Sequence, residues 1–148
     1  RWDRMVAINL SSVYHLSRAA MPHLVNSKGN IVNMASAAGL VGIAYTVAYC
    51  AVKHGVVGMT KAMAVEFASK NVRVNCICPT GVKTSMISNL AFPEGIDMNL
   101  LMRNNSKLGE GEMIEPEDVA AAVVYLGTED ARYITGVALP VDGAQTAG

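Results

Sequence analysis

The sequence predicts an α/β fold: a doubly wound parallel sheet of which these 148 residues form the C-terminal portion. Three observations predict it. Helical and extended patterns alternate in the order helix-strand-helix-strand-helix-strand, the signature of parallel strands joined by crossover helices. The extended runs are short and apolar, as strands covered on both faces must be. The first helical pattern has no strand before it, and three strands are too few for a stable sheet of this kind. A further part of the same fold is therefore expected upstream.

Each element follows from local pattern. From Trp2 to about Asn26, Met5, Ile8, Val13, Leu16, Ala20 and Leu24 recur at helical spacing, and Pro22 demands a kink or a nearby end. Lys28-Gly29 is the stop and turn. Asn30–Ala35 reads as a buried strand, and a loop follows through Gly39 and Gly42. Tyr45 to Ser69 reads as a long helix whose small residues, Ala48, Ala51, Gly55, Gly58 and Ala62, suit close packing on both sides. Val72–Cys78 is the second strand, ended by Pro79. Residues 80–114 are rich in Met and Asn, with weak helical signals around Ser85–Leu90 and Met98–Asn104. Pro116-Glu117-Asp118 opens a helix to about Leu126, its acidic residues placed where the helix dipole favours them. Val137–Val141 is the third strand.

Composition narrows the function classes. Twelve Lys+Arg balance twelve Asp+Glu, and no basic cluster occurs, which gives no footing for nucleic acid or an anionic membrane surface. Charged residues are only 16%, against about a quarter in ordinary soluble domains. Partner subunits or another part of the fold are expected to cover that surplus apolar surface. The uncharged stretch between Lys28 and Lys53 is no membrane span, because Asn30, Asn33, Ser36 and Thr46 interrupt it and its period changes midway. No secretory signal is read at the start of the chain, and three cysteines cannot pair completely, which fits a reducing, cytoplasmic compartment. Cys76 and Cys78 point to one face of a strand and are expected in the core rather than on a metal. His15, His23 and His54 belong to no motif, and Tyr14 and Tyr45 are expected in the core or an interface.

One constellation carries chemistry. Tyr49 and Lys53, four apart, share a helix face. Ser36 lies just past the carboxyl end of the first strand, where open α/β sheets bind ligands, and the Pro79–Thr84 loop lies at the same edge. A phenol has a reference pKa near 10, too high for a general base at neutral pH. A nearby ammonium favours the phenolate, and lowering the pKa by roughly three units takes about 4 kcal/mol. Ser36 can hold a substrate oxygen near the phenol, and Asn9 can hold a water that returns protons to the lysine. A lone Tyr-x-x-x-Lys usually decorates a surface; the weight lies in the conjunction.

These residues resemble the short-chain dehydrogenase/reductase family. Asn9-Leu10 looks like its catalytic asparagine, Gly29–Ser36 like the strand delivering its serine, and Tyr49-Cys50-Ala51-Val52-Lys53 like its Y-x-x-x-K motif. Thirteen residues separate Ser36 from Tyr49 and 27 separate Asn9 from Ser36, as in the family. Arg73-Val74-Asn75 into Pro79, Ile134-Thr135-Gly136 and Val141-Asp142-Gly143 resemble its later strands. The resemblance covers essentially the whole chain. It implies a Rossmann-like fold and hydride transfer between NAD or NADP and an alcohol or ketone. It assigns Tyr49 as acid/base, Lys53 as the group that lowers its pKa and binds the nicotinamide ribose, Ser36 as substrate-orienting and Asn9 as part of the proton relay. Pro79, Gly81, Val82 and Thr84 would line the nicotinamide. Residues 85–114, with Met86, Met98 and Met102, would form a substrate lid, whose apolar character fits either a steroid-like or terpenoid substrate or plain packing. Family members are commonly homotetramers joined through the Tyr-bearing helix and the helix at 117–127.

There are departures. Thr80 stands where the family usually has Gly, with Gly81 next. The family's Gly-rich phosphate loop is absent, and Gly109-Glu110-Gly111 is no substitute because no strand precedes it. The expected partner is thus the missing N-terminal half of the fold, and the chain alone should bind a dinucleotide poorly. The competing reading is a catalytically inactive fragment or scaffold subunit that keeps the fold for assembly.

Overall fold

The computed structural model describes residues 1–85, 94–103 and 105–147. Its order is α1 (Trp2–Val6), a π-helical turn (Ala7–Ser11), α2 (Ser12–Ser27), β1 (Asn30–Met34), α3 (Val47–Phe67), β2 (Arg73–Pro79), α4 (Met98–Met102), α5 (Pro116–Gly127) and β3 (Ala138–Val141). The three strands form one parallel sheet ordered β1-β2-β3, with Asn30 opposite Arg73 and Cys76 opposite Ala138. The expected alternation and parallel sheet are both present.

β2 is the centre, with Val74, Asn75, Cys76, Ile77 and Cys78 fully buried. Its alternation decides which helix covers which face. Val74, with Met21, Ala64 and Val72, packs under α2 and α3, as do Cys76 and Cys78 with Ala35, Val56 and Val57. Ile77 points the other way, against Val119, Leu126 and Ala131 of α5 and the turn after it. Helices therefore cover both faces, and the two strand cysteines sit in the core as expected. Asn75 is tolerated there because its amide donates to Ile134 O (2.8 Å) and accepts from Val137 N (3.1 Å), which seats the approach to β3. Arg73 does the same for the end of α5, donating to Leu126 O (2.7 Å) and Thr128 O (3.2 Å).

Local chemistry ends the helices where expected. Pro22 lies inside α2, in its last two turns, and the left-handed Lys28 (φ 53) of the Lys28-Gly29 pair stops the helix. α5 begins with Pro116 at its first turn and a reciprocal cap between Glu115 and Asp118. Tyr14 and Tyr45, expected in the core or an interface, are exposed within this chain, so neither lies in its core. Met86 and most of the Ser85–Leu90 helical signal lie outside the described residues; the second weak signal is α4. Among the described residues no helix is long and apolar enough to cross a membrane, and no metal-binding cluster occurs.

Candidate active site

Parallel packing brings the end of β1 against the first turns of α3. Beyond Met34 the chain passes through buried Ala35 to Ser36, which is extended (φ −174) and caps a 3₁₀ turn, Ala37–Gly39. The Ser36 hydroxyl oxygen accepts the Ala38 N–H at 3.2 Å. That bond leaves the hydroxyl proton to be donated elsewhere. It lies beside the Tyr49 phenol, whose pKa a hydrogen bond from Ser36 lowers.

The turn can lie this close to α3 because residue 39 is glycine. A Cβ there would stand 2.7 Å from the Lys53 carbonyl oxygen and 2.9 Å from its carbon. Nothing in the spacing of the chemical residues points to Gly39; the only signal in the sequence is a glycine directly after two alanines, a run with nothing to keep backbones apart. Deeper in, the amide of buried Asn33 donates to Thr60 Oγ1 at 3.0 Å and joins β1 to α3 a second time.

Lys53 is 7% exposed, and its ammonium donates to Met34 O at 3.0 Å. It lies over the Tyr49 ring, 5.5 Å from the centroid. Ser36, Tyr49 and Lys53 thus converge on the carboxyl end of β1, as the sequence predicts. The direction of the Tyr49 shift is a correction. Burial pushes the phenol above its ordinary value of 10.0, with the Ser36 hydrogen bond pulling it down and Cys50 pushing it up. Burial likewise pulls Lys53 below its ordinary 10.5. The hydrogen bond with Cys76, then burial, holds the Cys78 thiol up and neutral. No cysteine is paired.

Asn9 stands at the middle of the π-helical turn, a local widening that recurs at functional sites. Its amide donates to Met5 O and Met5 Sδ, both at 3.2 Å, within its own helix. The turn itself packs on α3 through Leu10, which fills the space left by Gly55. Asn9 is therefore carried beside α3 without a bond to Ser36, Tyr49 or Lys53.

The Pro79–Thr84 loop leaves β2 at the same edge. Thr80 N donates to Val141 O, and Gly81 and Lys83 bond the backbone of Ile114 on either side of a Val82–Ile114 bridge. Val82 packs into the α5-side core, and Thr84 is exposed. Gly109-Glu110-Gly111 forms a 3₁₀ turn after a non-strand segment. It has neither the preceding strand nor the following helix of a dinucleotide loop.

This arrangement is a parallel sheet with a hydroxyl at one strand tip beside a phenol and an ammonium on the next helix. Residues 1–146 match the family described as enoyl-(acyl carrier protein) reductase. The chain is 39% identical over 146 residues to meso-2,3-butanediol dehydrogenase of Serratia marcescens, covering 99% of this chain and 56% of that protein. It is 40% identical over 153 residues to the short-chain dehydrogenase/reductase olcF of Penicillium canescens, covering 97% and 58%. Among solved structures, 4-hydroxyisoleucine dehydrogenase complexed with NADH superposes with a TM-score of 0.82 at 34% identity, covering 99% of this chain and 60% of that one. The chain belongs to the short-chain dehydrogenase/reductase family. It spans little more than half the length of the curated relatives it matches.

Proposed function

We propose that this chain is the catalytic portion of an NAD(P)-dependent oxidoreductase that interconverts an alcohol and a ketone. The observation that carries the reading is the convergence of Ser36, Tyr49 and Lys53 at the carboxyl end of β1. The residues fit the nicotinamide end of the cofactor: a buried ammonium beside a phenol, at the strand edge where the Pro79–Thr84 loop also ends. Lys53 would hold the ribose, and Gly81, Val82 and Thr84 would flank the ring and phosphates. When bound, the nicotinamide supplies the hydride acceptor or donor.

The chain's own residues do the rest. In the oxidative direction Tyr49, as phenolate, takes the alcohol proton; in the reductive direction it returns one to the carbonyl oxygen. Ser36 donates its hydroxyl proton toward that same oxygen and fixes it near the phenol. Lys53 must act on the phenolic oxygen, so its ammonium has to exchange Met34 O for that neighbourhood during the cycle. Asn9 completes a proton path once its amide turns from Met5 toward α3.

The phosphate-binding half is assigned to the remainder of the fold. β1 is an edge strand with Met34 exposed, which suits a further strand beside it. Residues 94–103 and 105–114 are the described part of the expected substrate lid, and exposed Met98, Leu100 and Met102 favour an apolar substrate. A groove of about 840 Å³ between α2 and α3, lined by Tyr14, Pro22, Met59 and Phe67, together with exposed Val124 and Tyr125 on α5, supports a homotetramer. The free thiols suit a cytoplasmic setting.

The test is isotopic. With the dinucleotide-binding half present, 2-propanol deuterated at C2 should pass deuterium to NAD⁺ or NADP⁺. A complete, folded protein that transfers none from this alcohol, from meso-2,3-butanediol or from a monoterpene alcohol would favour the scaffold reading. Light scattering should give a tetramer, and a monomer would count against the assembly.

A further inference from the structure

Tyr45 belongs to no motif, yet its surroundings are unusual. It lies in the loop between the Ser36 turn and α3, four residues before Tyr49. Its backbone is left-handed, with φ 64. A bulky aromatic residue adopts that conformation only when its neighbours impose it. Its ring is 52% exposed, so burial is not what holds it there. Its phenolic oxygen, however, accepts the Asp97 backbone N–H at 3.1 Å.

Asp97 is itself a cap. Its carboxylate accepts the N–H groups of Asn99 (2.9 Å) and Leu100 (3.2 Å) and starts α4. The other end of the connection is equally fixed. Cys50, the residue after Tyr49, receives Ile43 N at its sulfur (3.4 Å) and lies 3.2 Å from Thr46 Oγ1. Thr46 Oγ1 in turn donates to Ile43 O (2.8 Å). The loop that carries Tyr45 is thus tied to the helix turn that carries Tyr49.

We propose that Tyr45 is a positioning residue: by accepting the Asp97 N–H it sets where the α4 segment stands relative to the Ser36–Tyr49–Lys53 site, and so governs substrate affinity rather than the chemical step. This rests on the reading of that segment as the substrate lid. A left-handed tyrosine is what projects the phenol away from its own loop and across to Asp97. The cysteine tie then refers the height of α4 to the helix that bears the acid/base.

Tyr45→Phe removes the acceptor oxygen and keeps the ring, so the fold should be unaffected. Two readouts test it. Amide hydrogen exchange on the complete protein should show the Asp97 N–H exchanging about five-fold faster in Tyr45→Phe, the loss expected for one neutral hydrogen bond. With the dinucleotide-binding half present and meso-2,3-butanediol or a monoterpene alcohol as probe, KM should rise about five-fold while kcat stays within two-fold. Unchanged exchange at Asp97 overturns the proposal, as does a fall in kcat at constant KM, which would place Tyr45 in the chemistry. Exchange does not depend on turnover. A protein with accelerated Asp97 exchange but no activity in any form would therefore defeat the oxidoreductase reading while leaving the contact between Tyr45 and α4 intact.

Discussion

Replacing Gly39 by alanine adds one methyl group where the Ser36 turn touches α3. The added carbon would meet the Lys53 carbonyl oxygen at 2.7 Å, about 0.7 Å inside the 3.4 Å at which ordinary contact begins, and Val57 Cγ2 at 3.2 Å. The oxygen is backbone, in a helix pinned on either side by fully buried Val52 and Val56, so it cannot swing aside. Either the turn lifts, moving Ser36, or α3 slides, moving Tyr49 and Lys53. Overpacking of this kind costs about 1–3 kcal/mol. A displacement approaching ~1 Å in a positioned site costs on the order of 10²-fold in rate. Urea denaturation should show a lower midpoint at unchanged m-value, and kcat/KM of the complete protein should fall about a hundred-fold. Gly58→Ala is the matched control. Gly58 is helical and exposed, with nothing within 4 Å of where an added methyl would stand, so alanine there should stabilise by about 0.5–1 kcal/mol. A Gly39→Ala protein as stable as, or more stable than, the parent would refute the close-approach reasoning.

Further expectations concern the charged and polar groups. Tyr49 should titrate above 10.0 by ultraviolet difference spectroscopy against Tyr49→Phe, and Ser36→Ala should move it higher still, because the Ser36 hydrogen bond lowers it. Its raised folded-state pKa means that its contribution to stability is intact below 10.0 and is lost as pH climbs through the folded value; a Tyr49 that ionises below 10.0 would reverse that sign. Lys53→Met should raise the cofactor KM about ten-fold or more and shift the activity profile to higher pH; a change in only one would break the dual role. Asn75→Ala should cost about 3 kcal/mol in urea denaturation, because Ile134 O and Val137 N both lose their partner in a fully buried setting.

The sheet is legible in the sequence because β1 and β2 are short apolar runs bounded by turns, and their alternation requires helices on both sides. α3 is legible from its length and small residues. The chemical trio is legible because a four-residue helical spacing and a strand-tip serine occur together, and the resemblance to the family assigns their roles. Other features depend on contacts that sequence does not display. The spacing of Tyr49 and Lys53 suggests an ammonium beside the phenol; in the structure that ammonium donates to Met34 O, and burial dominates the Tyr49 shift. In the sequence Asn9 is a mid-helix polar residue; the π-helical turn that carries it shows no periodicity break a sequence could reveal.

Turnover of Tyr49→Phe tests the central claim most directly. In the complete protein, with folding verified by circular dichroism and an unchanged urea midpoint, deletion of the phenolic oxygen should lower kcat by about 10²-fold or more, the usual worth of a positioned acid/base. Retention of more than about half the parental kcat would show that the proton passes through another group, and that the meeting of residues 36, 49 and 53 is not the catalytic centre.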